Sequence, residues 1–95
     1  MLPREQRADA IRAALEAALV PVRLEVRDDS HRHAGHEGAK DGRGHFSVDI
    51  VSADFAGLAP LARHRRVYAA LGEMMQTDIH ALQIRARTPA EASGA

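Results

Sequence analysis

At 95 residues the chain is the size of one domain, and a core this modest points to function at an edge or interface rather than in a deep pocket. Thirteen basic and thirteen acidic residues cancel, which argues against coating of nucleic acid by general charge, and three aromatics (Phe46, Phe55 and Tyr68) do not make a base-stacking platform. There is no cysteine, so no disulfide framework exists and any soft-metal or iron–sulfur site must borrow its thiolates from another molecule.

Residues 4–19 are expected to form the first helix. Ile11, Leu15, Ala18 and Leu19 recur at three- and four-residue spacing, with Arg4, Glu5, Arg12 and Glu16 on other faces. Pro21 ends it, since proline cannot donate the next helical hydrogen bond. Val22, Leu24 and Val26 then alternate with Arg23, Glu25 and Arg27, the pattern of a half-buried strand. Asp28-Asp29-Ser30 reads as an end-of-strand turn closed by an Asx-type hydrogen bond.

Residues 29–44 follow as a long loop without periodicity, rich in glycine (Gly35, Gly38, Gly42, Gly44) and in histidine (His31, His33, His36). A connection this long in so small a domain is expected to be flexible and functional. His45 opens a second strand, with Phe46, Val48 and Ile50 inward and His45, Ser47 and Asp49 outward. A turn with a short helical piece is expected near 53–58. A longer helix is expected over 59–75, with Leu61, His64, Val67, Tyr68, Leu71, Met74 and Met75 as its inner stripe. Thr77-Asp78 turns the chain into a last strand over 79–88, where Leu82, Ile84 and Ala86 share one face and Gln83, Arg85 and Arg87 the other. Pro89 onward reads as a frayed polar tail, disordered over 90–95.

The order is α-β-β-α-β: one α+β domain over 1–95, with helices on one face of a three-stranded mixed sheet. Strands one and two should be antiparallel. The β-α-β unit should make strands two and three parallel. No segment has membrane-spanning length and the N-terminus has no signal-peptide pattern. A cytoplasmic protein is expected, a monomer in isolation, and the alanine- and arginine-rich usage suggests a GC-rich bacterial genome.

This topology sorts the histidines. The loop joins the end of strand one to the start of strand two. Strand three, parallel to strand two, starts at the same edge of the sheet. His80, in phase with the buried face at that start, should therefore lie near His45 and within reach of the loop histidines. His64, on the apolar stripe near the start of the long helix, should be remote and semi-buried. His31-x-His33-x2-His36 could also chelate Zn²⁺ or Ni²⁺ directly, a weak signal without scaffold or outer partners. No phosphate-binding loop or hydrolase triad is present, so no enzyme is indicated. Arg63-His-Arg-Arg66 reads either as a solvated helix face or as a phosphate-contacting one, which would bind salt-dependently.

Several stretches resemble BolA proteins. Leu24 to His36 is similar to their first strand and loop, and Gly44-His-Phe-Ser-Val-Asp-Ile-Val-Ser52 to their second strand. Phe55 to Tyr68, with its Arg-His-Arg core and following Val-Tyr, is similar to the family signature. Ile79-His-Ala-Leu82 and Ala86-Arg-Thr-Pro89 resemble the last strand. Together they span residues 4–90. The resemblance implies a class II KH-like fold. It also implies a monothiol glutaredoxin partner and a shared [2Fe–2S] cluster, with the glutaredoxin cysteine and a glutathione thiol on one side. By motif position, His80 and His33 would ligate from this chain, with His31 and His36 as loop alternates and His45 nearby. No cluster is expected on the isolated chain. The family is also described as containing transcriptional regulators, which makes DNA binding through Arg63, Arg65 and Arg66 the alternative. The Gly-x-x-Gly of nucleic-acid-binding KH modules is absent from its proper place, since Gly35-His-Glu-Gly38 falls in the loop between strands.

Overall fold

The computed structural model describes residues 1–30 and 42–94. Helix α1 runs Arg4–Leu19, strand β1 Arg23–Asp28, and strand β2 Gly44–Val51. A 3₁₀ turn follows at Ala53–Phe55, where the sequence suggested a short helical piece. Then come helix α2 (Pro60–Leu71), a four-residue helix α3 (Met74–Thr77), strand β3 (Ile79–Arg87) and a helical turn α4 (Pro89–Ala92). The sheet order is β1-β2-β3. β1 and β2 are antiparallel, with Arg23 opposite Val51 and Asp28 opposite Phe46. β2 and β3 are parallel, from Gly44 opposite Ile79 to Val51 opposite Arg87.

The sheet alternates as period-two strands must. Leu24 and Val26 from β1, Phe46, Val48 and Ile50 from β2, and Leu82, Ile84 and Ala86 from β3 meet Ile11, Leu15, Leu19, Val67 and Leu71 of the helices, with Phe55 closing the core. Each fully buried aliphatic or aromatic side chain contributes about 1.5–3 kcal/mol. The other face carries Glu25, Arg27, Ser47, Asp49, Gln83 and Arg85, which line a shallow groove of about 260 Å³.

Four departures from the sequence reading have physical causes. The long helix breaks at Gly72, whose φ of 56° caps α2 through a bond from its N–H to Tyr68 O. The shortened helix packs through Val67 and Leu71, leaving Leu61 (61% exposed) and Tyr68 (40%) outside the stripe assigned to them. In α1, Ala18 is exposed, whereas Arg7 takes a buried position one turn before Ile11. Val22 lies outside β1 and is exposed, although its N–H still bonds Val51 O.

The fourth departure is the tail. Residues 89–92 form a helical turn because Thr88 and Glu91 make a capping box: Thr88 Oγ1 accepts from Glu91 N–H, and Glu91 Oε1 accepts from Thr88 N–H. Arg63 then holds Glu91 at 2.6 Å.

Candidate metal centre at the sheet edge

The starts of β2 and β3 form one edge of the sheet, as parallel pairing requires. Their register slips there: Gly44 is opposite Ile79, but His45 is opposite Ala81. One extra residue, His80, is thus inserted in β3. Such a bulge re-aims a side chain, is seldom seen in parallel pairs, and recurs near functional sites. Ile79 takes the inward position and is buried, whereas His80 is exposed. The phase expected for His80 is therefore wrong, since a plain alternation from Leu82 back to residue 80 does not survive the bulge. Its expected neighbour is right. The His45 and His80 rings lie 5.2 Å apart, tilted by 46°.

The β1 end of this edge is built from short-range bonds. Asp28 Oδ1 accepts from Ser30 N–H at 2.9 Å, the Asx turn read from the sequence. Asp29 N–H donates to His45 O at 2.8 Å, and His45 N–H donates to Ser30 Oγ at 3.1 Å. Asp29 is buried, takes Arg27 Nε at 2.7 Å and receives the Ser47 hydroxyl. The bond to Asp29 raises the Arg27 pKa further above its ordinary value. Gly44 lies where a Cβ would sit 2.6 Å from the Phe46 ring and 2.9 Å from Ser30 Oγ, so backbone and ring approach closely only without a side chain.

A buried ion pair holds the other side. Arg7 Nε lies 3.3 Å from Asp78 Oδ1, with side chains 5% and 4% exposed. Arg7 also donates to Gly42 O at 2.8 Å and Leu2 O at 3.2 Å. Asp78 receives Leu2 N–H and the Thr77 hydroxyl, each at 2.7 Å, and its own carbonyl accepts from Gly44 N–H at 2.8 Å. Burial pushes the Asp78 carboxyl up, but the hydrogen bonds from Thr77 and Leu2 and the charge of Arg7 outweigh it and hold the pKa below its ordinary value. Between Gly42 and Gly44, both pinned, Arg43 projects to His80: its Nη2 donates to Nδ1 at 3.2 Å.

His31, His33 and His36 lie outside the described residues. Among the described residues, no three His, Cys, Asp or Glu side chains gather as a self-contained metal site. Among the described residues, the imidazoles brought together at this edge are those of His45 and His80. His64 is half-buried near the start of α2. The preceding residue, Arg63, reaches Ala86 O near the end of β3, the end away from His80.

Arg63 is not a surface cation. It donates to Leu58 O at 2.8 Å, to Ala86 O at 3.1 Å and to Glu91, so it joins α2, β3 and α4. That corrects its assignment to a phosphate-contacting face. Arg65 and Arg66 are exposed, and Arg66 approaches Asp54 at 3.8 Å. Sequence reasoning missed Arg7, Asp78 and Arg43. The spacing Arg7, Ile11, Leu15 was a legible sign that Arg7 lies on the buried face, but nothing in the pattern pointed to Arg43.

Residues 15–91 match the family model described as BolA-like protein. The chain belongs to the BolA-like family. BolA-like protein 1 of Homo sapiens is 51% identical over 82 residues, covering 86% of this chain and 58% of that protein. The protein named DNA-binding transcriptional regulator BolA of Escherichia coli K12 is 39% identical over 94 residues, covering 99% and 83%. The solved BolA domain of SufE1 from Arabidopsis thaliana superposes with a TM-score of 0.80 at 43% identity, covering 96% of this chain and 99% of that one. The chain spans a little over half the length of curated relatives such as the human protein. Bacterial and eukaryotic proteins are both among its relatives, and no helix is long and apolar enough to cross a membrane.

Proposed function

We propose that this protein is a non-enzymatic partner of a monothiol glutaredoxin, sharing with it and with glutathione a [2Fe–2S] cluster for iron–sulfur sensing or trafficking. Family membership supports the reading. The observation that carries it is the bulge that turns His80 out of β3 at the edge where the histidine loop leaves and re-enters the sheet. His80 would be one ligand, and a loop histidine, His33 by motif position with His31 and His36 as alternates, the second. When bound, the cluster supplies an iron centre whose histidine ligation raises its potential above that of an all-thiolate site. The chain's own contribution is to present imidazole, to fix its aim through Ile79, and to leave the thiolates to the partner.

The test is assembly of the chain with a monothiol glutaredoxin, glutathione, iron and sulfide, read by visible absorption and circular dichroism against glutaredoxin alone. A mixed spectrum is expected for the native chain. His80→Ala should return the spectrum to the glutaredoxin-only form, while His64→Ala leaves it intact. A mixed spectrum that survives His80→Ala and vanishes with a folded His64→Ala variant would refute the reading. Duplex DNA is a poorer fit. The name of the E. coli relative supports it, but of the three arginines first assigned to DNA, Arg63 is committed to Ala86, Leu58 and Glu91.

A further inference from the structure

A neutral imidazole has one ring nitrogen that carries hydrogen and one that offers a lone pair. A guanidinium is a donor only and stays charged in any protein. The contact from Arg43 Nη2 to His80 Nδ1 at 3.2 Å therefore assigns the lone pair to Nδ1 and the hydrogen to Nε2. A metal ion needs that same lone pair. Arg43 and a metal ion are thus alternative occupants of one position.

The contact is built into the backbone. The residue before Arg43 is held by the buried Arg7, which donates to Gly42 O at 2.8 Å. The residue after it is held by the residue that precedes β3, since Gly44 N–H donates to Asp78 O at 2.8 Å. Asp78 itself pairs with Arg7 and stands two residues before His80. One buried ion pair therefore fixes both the segment that carries Arg43 and the segment that carries His80. The bulge turns His80 outward to meet the guanidinium. Short bonds at 2.8 Å on either side leave Arg43 its side-chain torsions as the means of letting go.

We propose that Arg43 caps the ligand lone pair of His80 in the metal-free protein and must swing away before His80 can ligate. Arg43 is then a positioning residue: it holds the imidazole in one tautomer and sets a threshold for capture. Once displaced, its charge lies beside the site, where it favours an anionic thiol ligand over a neutral one. The proposal deepens the glutaredoxin reading and rests on it only for the identity of the metal.

The test uses the full chain without metal at pH 8, above the range in which free imidazole titrates. Two readouts are taken on the native chain, Arg43→Met and Arg43→Lys. The first is the ¹⁵N spectrum of the His80 ring. The native chain should show a proton on Nε2, with Nδ1 shifted upfield as a hydrogen-bond acceptor. In Arg43→Met the Nδ1 resonance should move downfield, and Arg43→Lys should recover part of the difference. The second is the rate of diethylpyrocarbonate modification at each histidine, mapped by mass spectrometry, because the reagent attacks the free lone pair. A single hydrogen bond at an exposed site biases an equilibrium by about two- to fivefold. His80 should therefore react about two- to fivefold faster in Arg43→Met, with His64 unchanged as an internal reference.

A proton on Nδ1 in the native chain, or an unchanged Nδ1 resonance and rate in Arg43→Met, would overturn the proposal. If both readouts respond but no mixed cluster forms with glutaredoxin, the cap is supported and the glutaredoxin reading fails. If both respond and the cluster assembles faster in Arg43→Met, the cap and the reading are supported together.

Discussion

The two ends of the sheet are stitched by the same device in opposite settings. At the histidine end, Arg7 from α1 reaches across to Asp78 before β3, and both side chains are about 5% exposed. At the far end, Arg63 from α2 reaches Glu91 after β3, with side chains 12% and 48% exposed. Both arginines also take backbone carbonyls, Gly42 and Leu2 in one case, Ala86 and Leu58 in the other. The difference is what each pair does if it breaks. A buried pair costs much to desolvate but leaves an uncompensated charge when one partner is lost. A half-exposed pair is screened and returns easily to water. The histidine end is thus held in a single arrangement, and the far end is only fastened.

The largest way to break this comparison is to remove one partner at the histidine end. Asp78→Ala or Arg7→Ala should each destabilise by about 3–5 kcal/mol in urea unfolding. The double variant should cost clearly less than the sum of the two, since it leaves no orphaned charge. Additive losses would mean that the pair is not a unit.

A smaller effect of a different kind comes from Gly44→Ala. The added methyl meets the Phe46 ring at 2.6 Å and Ser30 Oγ at 2.9 Å, so ring or chain must move. Overpacking of this sort costs about 1–3 kcal/mol. The same variant should perturb the His45 amide resonance, because Ser30 Oγ is the acceptor of that N–H. A variant as stable as the native chain would show that this approach is not tight.

The smallest effect lies at the far end. Arg63 and the Thr88 N–H hold the Glu91 carboxyl at a pKa of about 2 rather than the ordinary 4.5. A carboxyl that ionises more readily when folded adds stability above its unfolded pKa and loses it as pH falls toward the folded one. Glu91→Gln should therefore lower the unfolding midpoint slightly at pH 7. The gap from the native chain should close between about pH 4.5 and 2. Added salt should narrow the gap at pH 7 as well.

Much of the fold was legible because its signals are local and periodic. Pro21 ends α1, the alternation from Phe46 to Ile50 gives β2, and the β-α-β order implies that β2 and β3 run parallel. The neighbourhood of His45 and His80 followed from that topology alone. What was hidden depends on contacts between distant segments. The bulge at His80 shows only against the register of β2, so a strand read alone gives it the wrong face. Arg63 resembles its neighbours Arg65 and Arg66 in sequence and differs only because β3 and α4 pass within its reach. α4 looked like a polar tail because a four-residue capping box has no hydrophobic period to announce it.

One consequence of the bulge concerns Ile79 rather than His80. Flattening β3 would turn the imidazole inward only by turning Ile79 out of the core, where it is 1% exposed. That exchange would forfeit about 1.5–3 kcal/mol of apolar burial. The direction of a polar ring is therefore guarded by the water-aversion of its aliphatic neighbour, a force that weakens on cooling. Behind the contact with Arg43, the imidazole is thus kept outward by a hydrocarbon anchor, and its aim inherits the temperature response of oil in water.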